Sequence, residues 1–202
     1  MTEQRTGDWC ETYTGRAFWP LDPRASEVCA DDIAHALAMQ CRFGGHCADF
    51  WSVAQHSVCV SRIVPPEDAL AGLLHDAAEA YLVDLPRPIK RFMPTYRAAE
   101  QRIARVIGQR FSVELVELPA PVKHADEVML ATEKRDLMLN SYRDWGPLPE
   151  PLAERLVPRS PMLAKADFLE RLSELLVARE VRGTADTLPP GRPELPTLTE
   201  GS

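Results

Sequence analysis

The sequence predicts an all-α fold, and three observations carry that expectation. Through most of the 202 residues, apolar side chains return at helical spacing between proline and glycine breaks. No strand–helix–strand alternation appears, which argues against a parallel sheet. Segment 67–83 carries apolar residues around almost its whole circumference, among them Leu70, Leu73, Leu74, Ala77, Tyr81 and Leu82, the mark of a buried central helix.

The elements follow in order. Residues 1–30 read as an irregular arm, because 7–23 mix aromatics with Thr, Gly and Pro and leave room for a short hairpin. Asp31 and Asp32 can cap a helix from Ile33 to Met39. CRFGGHC at 41–47 is a glycine-containing loop. Asp49 can cap a second helix that runs to about Val64 and stops at Pro65-Pro66. Glu67 to Val83 is expected as one continuous third helix, ended by the LPRP loop at 85–88. Tyr96–Phe111 and Pro121 to about Leu139 read as amphipathic helices. After the proline-rich WGPLPEP stretch, a short helix is expected near Leu152–Leu156, and a last one from about Met162 to Arg179. From Gly183 the Pro- and Thr-rich remainder is expected to be a disordered tail, leaving 31–182 as the folded domain.

Bulk properties narrow the function. A hydrophobic share of 45% with 26% charged residues is that of an ordinary folded protein. No apolar run reaches the roughly 18–20 residues that cross a bilayer, and Met1–Cys10 lacks a secretory apolar stretch, so a cytoplasmic protein without membrane contact is expected. A net charge of −7 argues against an extended nucleic-acid surface but leaves room for a small phosphorylated ligand held by a few Arg and Lys. The five cysteines (Cys10, Cys29, Cys41, Cys47, Cys59) form no CxxC pair and, with His46 and His56, fit no structural zinc spacing. Reduced thiols are expected.

The central segment carries the chemistry. His75, Asp76 and Glu79 interrupt AGLLHDAAEAYL, and burying ionisable groups without partners costs several kcal/mol each, on the order given by desolvation. A divalent cation compensates directly, since imidazole and carboxylate are its ligands. His75 and Glu79 are four apart and Asp76 and Glu79 three, so all three crowd one side of a helix. His75 and Asp76 diverge by about 100°, so reaching one ion needs a bent approach. His56 sits in the mostly apolar SVAQHSVCV. Asp126 shares a helical stripe with Val122, Met129, Leu130 and Leu137. A lone buried His is usually hydrogen-bonded core, and an HD dipeptide is common. Four ligand-type groups on apolar faces of three helices change that balance.

The order His56, His75-Asp76, Asp126 resembles the HD-domain metal-dependent phosphohydrolases. The flanking text at 42–43 (RF), 53–57 (VAQHS), 73–90 (LLHDAAEAYLVDLPRPIK) and 123–130 (KHADEVML) is similar to the small bacterial 5'-deoxynucleotidases and to related phage HD hydrolases, which include dATP triphosphohydrolases. The resemblance covers roughly 31–140 and implies an HD-domain helical bundle. It implies metal ligation by His56, His75, Asp76 and Asp126, water handling by Glu79, and an assisting role for Asp84. It implies phosphate contact by Arg42, an aromatic beside the nucleotide at Phe43, and a lysine near the pocket mouth at Lys90. Gln55 stands where many relatives have Glu, which puts an acid–base role there in doubt while keeping it near the substrate.

Alternatives stay open for the supporting residues. Asp84 could cap the LPRP turn, Arg42 could pair with Asp126 or Glu133, and His46 could reach substrate, a second metal or only a loop partner. His124 reads as surface. Arg97, Arg102 and Arg105 read as a solvated face.

The expected cofactor is a divalent ion (Co, Mn, Zn, Fe or Ni, with Mg as a candidate second ion). The expected activity is hydrolysis of a nucleoside or deoxynucleoside 5'-monophosphate. The alternatives are a dNTP triphosphohydrolase, for which Arg16, Arg24, Lys90 and Arg91 could meet a longer phosphate chain, and a non-catalytic nucleotide-sensing module. Cyclic-dinucleotide or alarmone hydrolysis fits the flanking text less well. A homo-oligomer is expected, as among such relatives.

Overall fold

The computed structural model describes residues 5–139 and 142–185, with side chains to 182, and is all-α apart from one small hairpin. The hairpin pairs β1 (Cys10–Glu11) antiparallel with β2 (Ala17–Phe18). Its far end is fastened in two places: Phe18 stacks on Tyr81 with ring centroids 3.9 Å apart, and Thr14 donates its backbone N–H to the buried Asp32 at 2.7 Å. Arg5 pins the preceding chain to Asp22 and Glu27.

Helix α1 (Ala30–Met39) starts three residues before the expected Ile33. Asp31 and Asp32 lie inside its first turn rather than capping it, where their charge suits the helix dipole. The chain then doubles back: Arg42 N–H donates to the Trp51 carbonyl at 2.8 Å and Val53 N–H to the Gln40 carbonyl at 3.0 Å. That return holds 41–52 out of α-helix, with one 3-10 turn at Arg42–Gly45, so α2 spans Val53–Ile63 and is capped by Ser52, whose hydroxyl accepts from Gln55 N–H, not by Asp49.

The expected continuous third helix is broken. It comprises α3 (Ala69–Leu74), a turn over 75–78, and α4 (Glu79–Leu82). Across the turn the bonds Ala77 N–H to Leu74, Glu79 N–H to Asp76 and Ala80 N–H to Ala77 all span three residues, so the chain winds tighter than an α-helix. Gly72 lets α3 approach α2 closely: a Cβ there would stand 3.2 Å from both Ser61 Cα and Val64 Cγ2. After α5 (Arg87–Lys90) come α6 (Pro94–Phe111), α7 (Ala120–Leu137) and α8 (Pro161–Ala185).

No helix forms at Leu152–Leu156, contrary to expectation. Prolines crowd the segment, and α7 takes up its backbone amides: Thr132 Oγ1 accepts from Leu152 N–H at 2.9 Å, and Asp136 accepts from Leu156 N–H at 2.9 Å. The last helix runs past Arg179, so Gly183–Ala185 continue α8; the rest of the expected tail, 186–202, lies outside the described residues. One core joins α1, α2, α3, α6, α7 and α8, through Ile33, Leu37, Val60, Leu73, Ile107, Met129 and Phe168.

Helix α6 ends with Ser112 in the left-handed region (φ 52°), and Val113 N–H returns to the Gly108 carbonyl at 2.9 Å. A Cβ on Gly108 would lie 2.5 Å from the Val113 carbonyl oxygen, a backbone atom that cannot swing aside. Gly108→Ala should therefore destabilise the fold by about 1–3 kcal/mol from overpacking, of which better helix propensity recovers at most about 1 kcal/mol. Urea unfolding measures this, and a stabilised variant would refute the tight return.

Candidate metal centre

Four side chains of ligand type converge where α2, the 75–78 turn and α7 meet. His56 Nε2 lies 3.3 Å from His75 Nε2 and 3.2 Å from Asp126 Oδ1, and His75 Nε2 lies 3.9 Å from the same oxygen. Asp76 Oδ2 stands 3.2 Å from His75 Nε2 and 3.8 Å from His56 Nε2. His56, His75 and Asp126 each offer one atom within 4.8 Å of the others and can hold a metal ion. The tightened turn lets adjacent His75 and Asp76 both face His56, while Asp76, expected as a fourth ligand, stands outside the group of three. Asp126 is the outermost of the four, with 46% of its side chain exposed, so it stands at the rim rather than in the interior.

The ring tautomers favour a cation. His75 Nδ1 is 2.8 Å from the Gly72 carbonyl, which can only accept, so Nδ1 carries hydrogen. His56 Nδ1 is 2.7 Å from Glu133 Oε1 and donates to that carboxylate. In neutral rings both Nε2 atoms are then lone pairs facing each other and two carboxylates, an arrangement that needs a proton or a metal between them. Ligands about 2.1 Å from a tetrahedral ion stand about 3.4 Å apart, close to the spacings seen. The donor set and its spacing fit a divalent ion.

Electrostatics around the cluster are strong. Burial opposes charge on Asp76, yet His75, His56 and Arg42 outweigh it and hold the carboxyl far below its usual range. Burial likewise opposes charge on Asp126, and the His56 hydrogen bond overrides it downward. For His56, burial and the Arg42 charge push down, but Glu133 and Asp126 prevail and raise the imidazolium to about 9. Glu79 opens α4, buried; burial first, then the charges of Asp76 and Asp84, push its carboxyl well above the ordinary range.

Sequence reasoning noted Glu133 only as a partner open to Arg42, and missed its place at the centre of the support. It is fully buried and accepts from His56, from Trp51 Nε1 at 2.8 Å, and from Arg42 Nη2 and Nε at 2.8 and 3.2 Å. A metal-binding imidazole backed by a carboxylate through its other nitrogen is a recurring support. The signal was present: Glu133 lies seven residues after Asp126 on the stripe that ends at Leu137.

The remaining expected site residues divide. Arg42 uses one edge on Glu133 and brings Nη1 within 3.6 Å of Asp76. Phe43 has φ 56° and places its ring 5.9 Å from that of Trp145, a neighbour the sequence did not suggest. His46 is exposed, and its N–H closes the loop on the Phe43 carbonyl. Gln55 is occupied elsewhere: its amide donates to the Val157 carbonyl at 2.7 Å and accepts from Arg159 N–H at 3.1 Å, fastening the segment before α8. Lys90 pairs with Asp84 at 2.8 Å and Glu100 at 2.6 Å. Asp84 follows Val83, a β-branched residue at φ 56°, a costly conformation held by Tyr96 donating to the Val83 carbonyl.

Among the described residues no helix is long and apolar enough to cross a membrane. No protein-family model matches the chain. It is similar to the uncharacterized protein YfdR of Escherichia coli (strain K12), at 39% identity over 173 residues, covering 84% of this chain and 97% of that protein. An uncharacterized protein of Rhodobacter capsulatus is 35% identical over 127 residues, 58% of this chain and 64% of the other. With one-third identity exceeded across nearly the whole of its Escherichia coli relative, and a cluster that can hold a metal at its centre, the chain belongs to the family of YfdR.

Proposed function

We propose that this chain is a metal-dependent phosphohydrolase of the HD type that converts nucleoside or deoxynucleoside 5'-monophosphates to nucleoside and phosphate. The observation that carries the reading is the pair of imidazole Nε2 atoms 3.3 Å apart, each ring locked through Nδ1, with Asp126 and Asp76 oxygens beside them. A bound divalent ion would supply charge neutralisation for a phosphoryl group and a lowered pKa for water.

The chain's own groups have separable tasks. Glu79, buried and with its carboxyl raised above the ordinary range, can exchange a proton at its carboxyl oxygen with water or a leaving oxygen. Arg42 is held by Glu133 on one edge, and its Nη1 edge is the one suited to a phosphoryl oxygen. Phe43, beside that guanidinium, and Trp145, next to Phe43, offer aromatic faces for a base. Asp84 and Lys90, paired beyond Glu79, place charge on the approach.

The test strips the protein with chelator, restores Mn²⁺, Co²⁺, Zn²⁺, Fe²⁺, Ni²⁺ or Mg²⁺ singly, and presents nucleoside mono- and triphosphates. Metal-restored release of inorganic phosphate from monophosphates is expected, and Glu79→Gln should lower kcat by about 10²–10⁴-fold while Co²⁺ binding persists. Release of intact triphosphate would replace the reading with a dNTP triphosphohydrolase. Metal and nucleotide binding without turnover would replace it with a sensor.

A further inference from the structure

We propose that Cys41 and Cys47 form a reversible disulfide that closes the loop presenting Arg42 and so couples the metal-type cluster to the surrounding thiol–disulfide balance. Their Sγ atoms lie 3.5 Å apart, and both residues are partly exposed thiols. A disulfide bond is about 2.05 Å long, so the sulfurs need approach by only about 1.5 Å. No neighbour blocks the enclosed turn from moving: Gly44 and Gly45 have φ 60° and 82°, and nothing lies within 4 Å of where their Cβ atoms would be.

Both ends of the loop are anchored to the site's own framework. Cys41 pairs with Ser52 in an antiparallel bridge, and Ala48, next to Cys47, donates its N–H to the Leu137 carbonyl of α7 at 2.8 Å. Cys47 Sγ also approaches the Arg42 carbonyl at 3.7 Å. Drawing the sulfurs together therefore moves the Arg42 backbone, and with it the guanidinium that balances Glu133 behind His56.

The chemistry closes with a small disulfide such as glutathione disulfide as oxidant. One cysteine thiolate attacks its S–S bond and expels one glutathione thiolate. The second cysteine then attacks the protein sulfur of the mixed disulfide and expels the other. Two electrons and two protons pass from the cysteines to give two glutathione thiols. Burial, with Cys41 adjoining, pushes the Cys47 thiol up to about 11, so its thiolate is scarce at neutral pH and equilibration is slow.

The 202-residue, metal-stripped chain is equilibrated over graded glutathione to glutathione-disulfide ratios, acid-trapped, alkylated and mapped with trypsin. The expected result is loss of two of the five thiols in one step, with the peptide ending at Arg42 joined to that beginning at Phe43 until reduced, and with fragmentation of the joined peptides placing the alkyl label on Cys29 and Cys59 and the bond on Cys41 and Cys47. Cys47→Ser, with Cys41→Ser as a second variant, should lose no thiol pair. Co²⁺ titration of the reduced and oxidised wild type should give dissociation constants differing by about tenfold, the lower end of what disturbing a supporting partner does, and no difference for Cys47→Ser. Glutathione adducts, or linkages through Cys10, Cys29 or Cys59 in place of the Cys41–Cys47 bond, would overturn the site. A Cys41–Cys47 bond that leaves Co²⁺ binding unchanged would overturn the coupling.

Discussion

Replacing Glu133 with alanine should cost about 3–5 kcal/mol of stability, the scale for removing one partner of a buried ion pair, and weaken Co²⁺ binding by about 10–100-fold. Three groups lose their acceptor at once: the Arg42 guanidinium, the Trp51 indole N–H and His56 Nδ1. Arg42 would remain largely buried with only Asp76, 3.6 Å away, to balance it. Glu133→Gln separates the two effects, since it can still accept from Trp51 but carries no charge for Arg42. Urea unfolding and Co²⁺ absorbance titration measure both quantities, and an alanine variant within about 1 kcal/mol of wild type would show that the carboxylate is dispensable.

The same residue sets an acid limit on stability. Burial opposes its charge, but Arg42 and then His56 hold the carboxyl down to about 2, below its ordinary 4.5. A carboxyl depressed by folding stabilises the native state fully above the unfolded value, and that contribution is lost as pH falls from about 4.5 toward 2. Glu133→Gln should therefore flatten acid unfolding in that window.

What could be read from the residues, and what could not, follows from the range of the forces involved. Most of the helices and the ligand-type residues were legible because they are written locally: His56, His75, Asp76 and Asp126 each interrupt an apolar stretch of the sequence. The break at 75–78 was not, because it depends on the approach of α3 to α2 at Gly72 and on the Gly72 carbonyl taking the His75 ring proton. Nor was the absence of a helix at 152–156, where local propensity yields to Thr132 and Asp136, on a helix about twenty residues earlier, which accept from the Leu152 and Leu156 N–H groups. Gln55 shows the opposite failure. Its position beside His56 pointed to the substrate, and only the packing of 157–159 reveals where its amide is used.

Co²⁺ affinity should rise about tenfold per pH unit from pH 6 to about 9 and then level, roughly a thousandfold in all. In the metal-free protein His56 is held protonated up to about 9, and a ligand nitrogen must give up that proton first. Nδ1 keeps its hydrogen for Glu133, so the proton lost is the one on Nε2, which stands among His75, Asp126 and Asp76. Competition between a proton and a metal for one lone pair has a slope of one below the pKa and zero above it. The sign is tested by Glu133→Gln: removing the carboxylate takes away a cause that raises the His56 pKa and leaves the Arg42 charge that lowers it. The levelling point should then move below 9, although binding at the plateau is weaker. Proton release measured in unbuffered solution on adding Co²⁺ at pH 7 should approach one per site. A pH-independent affinity with no proton released would mean that the histidine nitrogens facing one another do not hold the ion.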